Sequence, residues 1–336
     1  MVFSLSNYTK LCVWTTASRR EFANCCILET DHYHKKFNMA PMMTGPSHLT
    51  NPLVTSAHLE TSASQLDGVP KDLEDSIRYE TTRLLQLAGI LLKLPQELIA
   101  QAVVILSRYW SGPDGGSLLE VDAKDVAAAA LYLTIKPSST PVRPSALLVV
   151  FSYLDHVSPD FGEALQDGLD ASKWSLSEGQ KQSAREKLYA QELHILRVLG
   201  FQTHVALPYT LCINYLQTLQ VFSSPSGSKV AKRAFEHLNN ALLSPQQLYL
   251  THQPTALATA AIYLAARETE VKLPETGWWE VLDVDREELG FLVVALKSVE
   301  GFAENERKIW ARRKVPLTVE EVRDEIERRR MLEAGE

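Results

Sequence analysis

Apolar residues recur at intervals of three and four along most of the chain from Ile77 onward, the spacing of amphipathic α-helices. The stretch "SIRYETTRLLQLAGILLKL" carries this pattern without interruption and predicts one long helix. Pro95 then opens "PQELIAQAVVILSRYW" in the first-turn position that proline tolerates. The chain therefore begins its regular part with two consecutive helices.

Start and stop signals extend this helical pattern to the rest of the chain. In the first half, "GPDGG" at 112–116 predicts a turn, and Asp122 is the predicted cap of a third helix through about Ile135. Pro144 is predicted to start a fourth helix. The capping-box pair Ser177 and Gln180 is predicted to start a fifth, which Gly200 ends. The polar stretch 158–176 between helices four and five is predicted to lie on the surface. Further helices are predicted at "LPYTLCINYLQTLQVF", "GSKVAKRAFEHLNNALLS", "QPTALATAAIYLAARETE" and "DREELGFLVVALKSVEGF", with a short connecting helix at "GWWEVLDV".

An internal repeat relates the two halves. "AAAALYLTIKP" and "ATAAIYLAARE" align without a gap, and they pair Tyr132 with Tyr263 and Lys136 with Arg267, 131 residues later. This offset is too long for a solenoid repeat and favours a duplicated helical domain. An alanine-rich third helix suits the centre of a five-helix cluster, because small side chains let neighbouring helices approach closely. The alternative is one ordinary bundle with two coincidentally similar helices.

Composition narrows the function classes. A chain of 336 residues with 45% hydrophobic and 22% charged residues predicts a globular protein of about two domains. Proteins that bind a phosphate backbone usually carry a net positive charge, whereas this chain has a formal net charge of -7. No direct nucleic-acid partner is therefore expected. No apolar run approaches the ~20 residues that cross a bilayer, and no secretory signal opens the chain. We expect a soluble intracellular protein with no membrane partner.

The first 65 residues show no sustained periodicity and are predicted to be a disordered or irregular extension. Met39 is a second plausible start, and one hypothesis is that the segment upstream of it is an artefact of the assigned start. The four cysteines are Cys12, Cys25, Cys26 and Cys212. They form no C-x-x-C motif, which suits a reducing compartment. His32 and His34 follow the adjacent cysteine pair, but adjacent cysteines rarely complete a tetrahedral site, so no metal or cofactor is expected.

Several separated motifs resemble the cyclin family. The alanine-rich third helix ending in Lys136, the fifth-helix "AQELHILRVLGF" and the following Pro208 are similar to the cyclin box. "QLDGVP", "AGILLKLPQ", "VLGFQTHVALPY" and "YLAARETEVKLP" resemble the transcription and splicing cyclins, most specifically cyclin L of fungal type. The resemblance implies an all-α fold of two tandem five-helix cyclin boxes. The expected division is a disordered extension at 1–65, boxes at 66–206 and 207–301, and a charged tail at 302–336.

The resemblance also implies a site. In cyclins a lysine ending helix three and a glutamate in helix five meet the kinase, and these positions are Lys136 and Glu192 here. Leu196, one turn later, occupies the place of an apolar contact to the mobile helix of the kinase. Each residue also has an interpretation without a kinase. Lys136 could simply stabilise the negative end of the helix dipole, Glu192 could be an exposed charge on a helix, and Leu196 could belong to the core. The implied function is a nuclear regulatory subunit that forms a heterodimer with a cyclin-dependent serine/threonine kinase and activates it, in RNA polymerase II transcription or pre-mRNA processing.

Some features depart from the family. "PSS" at 137–139 replaces an apolar residue and two acids, which removes negative charge beside the implied interface. "LAGILLKL" lacks the substrate-docking pattern of cell-cycle cyclins. Residues 302–336 hold nine basic and nine acidic residues in place of an arginine-serine tail, which weakens a splicing role and predicts a mostly solvated charged helix. Within this segment "RKIWARRK" is a weak nuclear-import motif.

Other function classes remain as alternatives. No P-loop, dinucleotide-binding, H-E-x-x-H, nucleophile-elbow or kinase motif is present, so intrinsic catalysis is not expected. A B-type general transcription factor has the same tandem helical fold but carries a zinc ribbon, whose paired cysteines are missing here. Strong, steeply salt-dependent DNA binding would favour that class. A third alternative is a scaffold that captures a kinase without changing its activity.

Overall fold

The computed structural model describes residues 49–156, 174, 176–275 and 277–334. The α-helices of this part are α1 (Ser56–Glu60), α2 (Ala63–Leu66), α3 (Lys71–Leu91), α4 (Gln96–Tyr109), α5 (Ala123–Ile135), α6 (Pro144–His156), α7 (Glu178–Val198), α8 (Tyr209–Thr218), α9 (Gly227–Ala241), α10 (Leu248–Thr251), α11 (Pro254–Glu268), α12 (Arg286–Ile309) and α13 (Val319–Ala334). Short 3₁₀ turns complete it, and no β-strand occurs among the described residues. The predicted all-α class is therefore confirmed.

The predicted helix boundaries are set by the local signals in the sequence. Ser177 and Gln180 form a reciprocal capping box, in which the Ser177 N–H donates to the Gln180 side chain at 3.0 Å. Gly200 follows α7 with φ at +54°, a conformation that glycine adopts without steric cost. Pro144 begins α6 as predicted. Local chemistry thus fixes the start of α6 and both ends of α7.

The alanine-rich helix α5 is the centre of the first bundle. Helices α3, α4, α6 and α7 all pack against it. Ala127, Ala129 and Ala130 are completely buried, so the neighbouring backbones approach over methyl groups rather than long side chains. Glycine gives a similar close approach between α3 and α4, since a Cβ at Gly89 would lie 2.5 Å from Cγ1 of Ile99.

The second bundle repeats this arrangement around α11. Helices α8, α9, α10 and α12 pack against α11, and Ala258, Ala260 and Ala261 are completely buried. Between α11 and α12 lies a 3₁₀ turn at Glu280–Leu282, where the sequence predicts a short connecting helix. The two copies of the repeat therefore form the central helices, α5 and α11, of their respective bundles. The predicted boundary at 206/207 lies in the segment between α7 and α8.

The C-terminal segment contains the predicted charged helix, α13, which is mostly exposed but also buries one face. Helix α12 continues past residue 301, and α13 packs on the first bundle with Val322 and Ile326 buried. Asp122 occupies the N-cap position of α5 as predicted, but its side chain forms no capping hydrogen bond there. Its carboxylate instead accepts from the Val319 N–H at 2.8 Å and so caps α13. Two apolar residues one turn apart are enough to bury one face of a helix whose other faces are charged.

An ionic cluster fastens α13 to its surroundings. The buried Glu325 carboxylate accepts hydrogen bonds from Arg313, Arg328 and Arg329 at 2.6–3.1 Å. Arg329 also pairs with Asp72 at the start of α3, at 2.6 Å. Arg313 belongs to the predicted import motif "RKIWARRK", so part of that basic cluster is engaged within the fold.

Several sequence-based predictions fall outside the described residues. They concern residues 1–48, with Met39 and three of the four cysteines, and almost all of the polar stretch 158–176. The end of the predicted N-terminal extension is not disordered, since it contains the two short capped helices α1 and α2. Among the described residues, no helix has the length and hydropathy to cross a membrane.

Replacement of Ala130 by leucine tests the central role of α5. Extra methylenes in a close-packed position force neighbouring helices apart, so Ala130→Leu is expected to lower the free energy of unfolding by about 1–3 kcal/mol. Urea unfolding followed by circular dichroism measures the change. Ala190→Leu is the matched control, because Ala190 is exposed on α7. Equal stability of the two variants would contradict the close-packing argument.

The Glu325 cluster predicts a defined acid sensitivity. Hydrogen bonds, first from Arg328, lower the pKa of Glu325 from 4.5 to about 2. A depressed carboxylate pKa gives stability that is complete above the unfolded value and is lost as pH falls through the folded value. The Tm advantage of the native chain over Glu325→Gln should therefore be largest above pH 4.5 and shrink toward pH 2. Glu327→Gln, on the exposed face of α13, should show no such trend.

Candidate functional site

Lys136 lies at the C-terminal end of α5, where its backbone N–H donates to the Tyr132 carbonyl at 3.0 Å. Its side chain turns toward α7, and Nζ donates to Oε1 of Glu192 at 2.9 Å. The ammonium also lies 5.7 Å from the centre of the Tyr132 ring, within cation–π range. The two charged residues singled out from the sequence therefore meet at one edge of the first bundle.

The two partners of this ion pair differ in exposure. Glu192 is 7% exposed, whereas the Lys136 side chain is 56% exposed. The carboxylate is thus covered by protein, whereas the ammonium lies at the surface and faces solvent. The hydrogen bond to Glu192 raises the pKa of Lys136, so the lysine is charged at neutral pH. It has three N–H donors, and the pair occupies one of them.

Leu196 lies one turn beyond Glu192 and is half-buried. Two residues that the sequence reasoning missed complete the same edge, Tyr189 and Leu193, each 43% exposed. Tyr189 and Leu193 lie one turn apart on α7, and the Tyr189 ring packs 6.0 Å from that of Tyr132. The i, i+4, i+7 spacing of 189, 193 and 196 is the signal that could have found them.

We call the surface formed by Lys136, Tyr189, Glu192, Leu193 and Leu196 the α5–α7 rim. It combines one solvent-facing cation with an apolar strip along α7. Such a combination is typical of a protein interface, in which apolar area provides affinity and a charged group fixes register. None of these side chains forms a metal-binding group with others, since no cluster of three His, Cys, Asp or Glu occurs in the described part of the chain.

The second bundle arranges its equivalent residue differently. Arg267 stacks over Tyr263 at 5.8 Å, as Lys136 does over Tyr132, and donates to the Tyr263 hydroxyl at 3.1 Å. The neighbouring Glu268 accepts hydrogen bonds from Arg233 and His237. The contact of a cation with a tyrosine ring is therefore common to both bundles. At these two helix ends, the ion pair between that cation and a buried glutamate occurs in the first bundle.

Comparison with known proteins identifies similar chains. Cyclin-L1-1 of Arabidopsis thaliana is 28% identical over 239 residues, which is 71% of this chain and 53% of the relative. Cyclin-L2 of Homo sapiens is 28% identical over 282 residues, 84% of this chain and 49% of the relative. The chain thus spans about half the length of these curated relatives. A cyclin-L1-like protein of Schizosaccharomyces pombe is 28% identical over 247 residues and is covered to 89%.

Solved structures share the fold at low sequence identity. A chain of the yeast RNA Pol II CTD kinase CTDK-1 complex superposes with a TM-score of 0.59 at 14% identity, with 82% of each chain covered. A chain of the CAK complex from Chaetomium thermophilum gives a TM-score of 0.51 at 15% identity, with 77% of each chain covered. No family model matches the chain. The sequence-based resemblance is confirmed: over most of its length, this chain is similar to the cyclin L members of the cyclin family.

Proposed function

We propose that the protein is a cyclin, a non-catalytic regulatory subunit that binds and activates a cyclin-dependent serine/threonine kinase through the α5–α7 rim. The observation that carries the proposal is the Lys136–Glu192 ion pair at 2.9 Å, formed between the two helices from which cyclins present their kinase-binding charges. Similarity to cyclin L proteins, and to one chain in the RNA Pol II CTD kinase complex and one in the CAK complex, supports the same conclusion.

The rim suits a helix or loop of a partner protein. With one Lys136 donor bonded to Glu192, the remaining N–H groups are available to backbone carbonyls of a docked segment. Tyr189, Leu193 and Leu196 supply apolar area beside the charge, and aromatic residues are common anchors of such interfaces. Because the Glu192 carboxylate is already buried, binding does not have to desolvate it, which lowers the cost of covering the pair.

Activation follows from unequal binding to two kinase conformations. A kinase can exist with its active-site helix either ordered or displaced. A cyclin raises kinase activity when it binds the ordered conformation more tightly than the displaced one. Equal affinity for both conformations would leave the equilibrium unchanged. We assign this difference in contact energy to the rim, with Leu196 and its apolar neighbours against the mobile helix and Lys136 fixing the register.

The cellular setting is proposed from the same similarities. Cyclin L relatives and a neighbour in a complex named for the RNA Pol II CTD kinase support a nuclear role in RNA polymerase II transcription or pre-mRNA processing. Affinity purification of the full chain from its native cells, with kinases identified by mass spectrometry, provides the partner for reconstitution. Stimulation of the purified kinase supports the proposal. Capture without stimulation supports the scaffold alternative.

An exchange of the two charges separates folding from binding. Lys136→Glu combined with Glu192→Lys keeps opposite charges in contact but inverts the charge that faces the partner, so the bundle should fold while capture of the kinase is lost. Pull-down with the reconstituted kinase and circular dichroism measure the two effects. The control exchanges Lys181 with Glu178, an ion pair at 2.7 Å in the first turn of α7 that lies outside the rim. Undiminished capture by the Lys136/Glu192 variant would remove the site assignment.

The apolar strip gives an independent test. Leu193→Asp places a charge on an exposed surface position, so its effect on stability should stay within about 0.5 kcal/mol. At the centre of an interface the same charge should weaken binding by at least about tenfold in Kd. Leu332→Asp is the matched control, because Leu332 is 59% exposed on α13. Equal Kd values for the two variants would place the interface elsewhere.

A further inference from the structure

The segment before α1 contains a polar residue that is almost entirely buried. Asn51 is 5% exposed, and its side chain forms a two-point contact with the backbone of Ala206. Asn51 Nδ2 donates to the Ala206 carbonyl at 2.8 Å, and the Ala206 N–H donates to Asn51 Oδ1 at 2.8 Å. Ala206 belongs to the link between α7 and α8, so Asn51 satisfies the backbone of the connection between the bundles.

The backbone of the same residue is bonded to the second bundle. The Asn51 N–H donates to Gln253 Oε1 and Gln253 Nε2 donates to the Asn51 carbonyl, both at 3.0 Å. Gln253 is the N-cap residue of the central helix α11. Three residues later, the Val54 N–H donates to the Leu250 carbonyl at 2.9 Å. This short segment therefore adds hydrogen bonds at the start of the helix around which the second bundle is built.

The first bundle reaches the same point through Arg108 in the last turn of α4. Arg108 Nη2 donates to Asn51 Oδ1 at 3.1 Å, and Nη1 donates to the His204 carbonyl at 2.6 Å. Arg108 is half-buried, and this burial lowers the pKa of its guanidinium. One asparagine thus joins α4, the interbundle link and α11.

The sequence prepares this geometry. Asn51 and Gln253 each precede a proline, Pro52 and Pro254, and a residue before proline is biased toward extended backbone. An extended residue directs its N–H and C=O away from its own chain, where another residue can bond them. The planar carboxamide of asparagine offers a donor and an acceptor that match the N–H and C=O of Ala206.

We propose that residues 51–54 form a clasp that fixes the orientation of the two helical bundles. Bundles joined by a short link move relative to each other unless their interface holds them. The clasp opposes that motion, because a change of orientation would break the hydrogen bonds of Asn51 either to Ala206 and Arg108 or to Gln253. This inference is independent of the proposed function, since it rests only on contacts within the chain.

Hydrogen exchange on the full-length chain tests the clasp. Asn51→Ala is expected to speed exchange of the Ala206 amide by about tenfold, the factor that corresponds to loss of a buried hydrogen bond. Exchange in the cores of α5 and α11 should keep its native order of protection. Asn214→Ala is the matched control, because Asn214 is exposed on α8. Equal exchange at Ala206 in the two variants would overturn the proposal.

A distance measurement distinguishes orientation from local stability. Spin labels carried by a non-canonical amino acid at Glu186 on α7 and Lys229 on α9, both exposed, report the separation of the bundles. In the native chain the distance distribution should be narrow, and in Asn51→Ala and Gln253→Ala it should broaden. Gln217→Ala, exposed on α8, should leave it unchanged. A native width in both clasp variants, with normal folding, would show that the clasp does not set the orientation.

Discussion

Close packing around two alanine-rich helices is the constraint on which the rest of this structure depends. Among the described residues, helices α5 and α11 each pack against four other α-helices, and only methyl-sized side chains leave room for so many backbones at short range. The position of the candidate site residues follows from this packing. Lys136 ends α5 and Glu192 lies on α7, which packs directly against α5, so the same contact that builds the core brings the two charges together.

The duplication distinguishes the contacts that both bundles share from those that belong to the first bundle. Both copies place a cation over a tyrosine at the end of the central helix, Lys136 over Tyr132 and Arg267 over Tyr263. In the first copy that cation covers a buried carboxylate, whereas Arg267 bonds the tyrosine hydroxyl itself. The shared contact suits what any such helix end requires, namely a positive charge near its partial negative charge. The ion pair with Glu192 is the additional feature of the first bundle.

The sequence predicted the elements that depend on local chemistry. The helices, the capping box at Ser177 and the alanine repeat were readable because periodicity and caps act within a few residues. The pairing of Lys136 with Glu192, 56 positions apart, required a family resemblance, since spacing alone does not specify contacts between helices. Residues such as Asn51 and Asp122 were missed or misassigned because their partners lie 155 and 197 positions away, beyond the reach of any local pattern.

Both ends of the described chain act on the bundles rather than extend from them. Residues 51–54 bond the interbundle link and α11, and α13 returns to the first bundle, where Asp122 caps it. Bracing of this kind suits the proposed function, which depends on binding a partner protein. A surface that is already ordered loses little conformational entropy when a partner covers it, so more of its contact energy remains to discriminate between two states of that partner. In the α5–α7 rim, that order begins with Glu192 and the fully buried Ile195 beside it, which hold the exposed side chains of α7 in fixed positions.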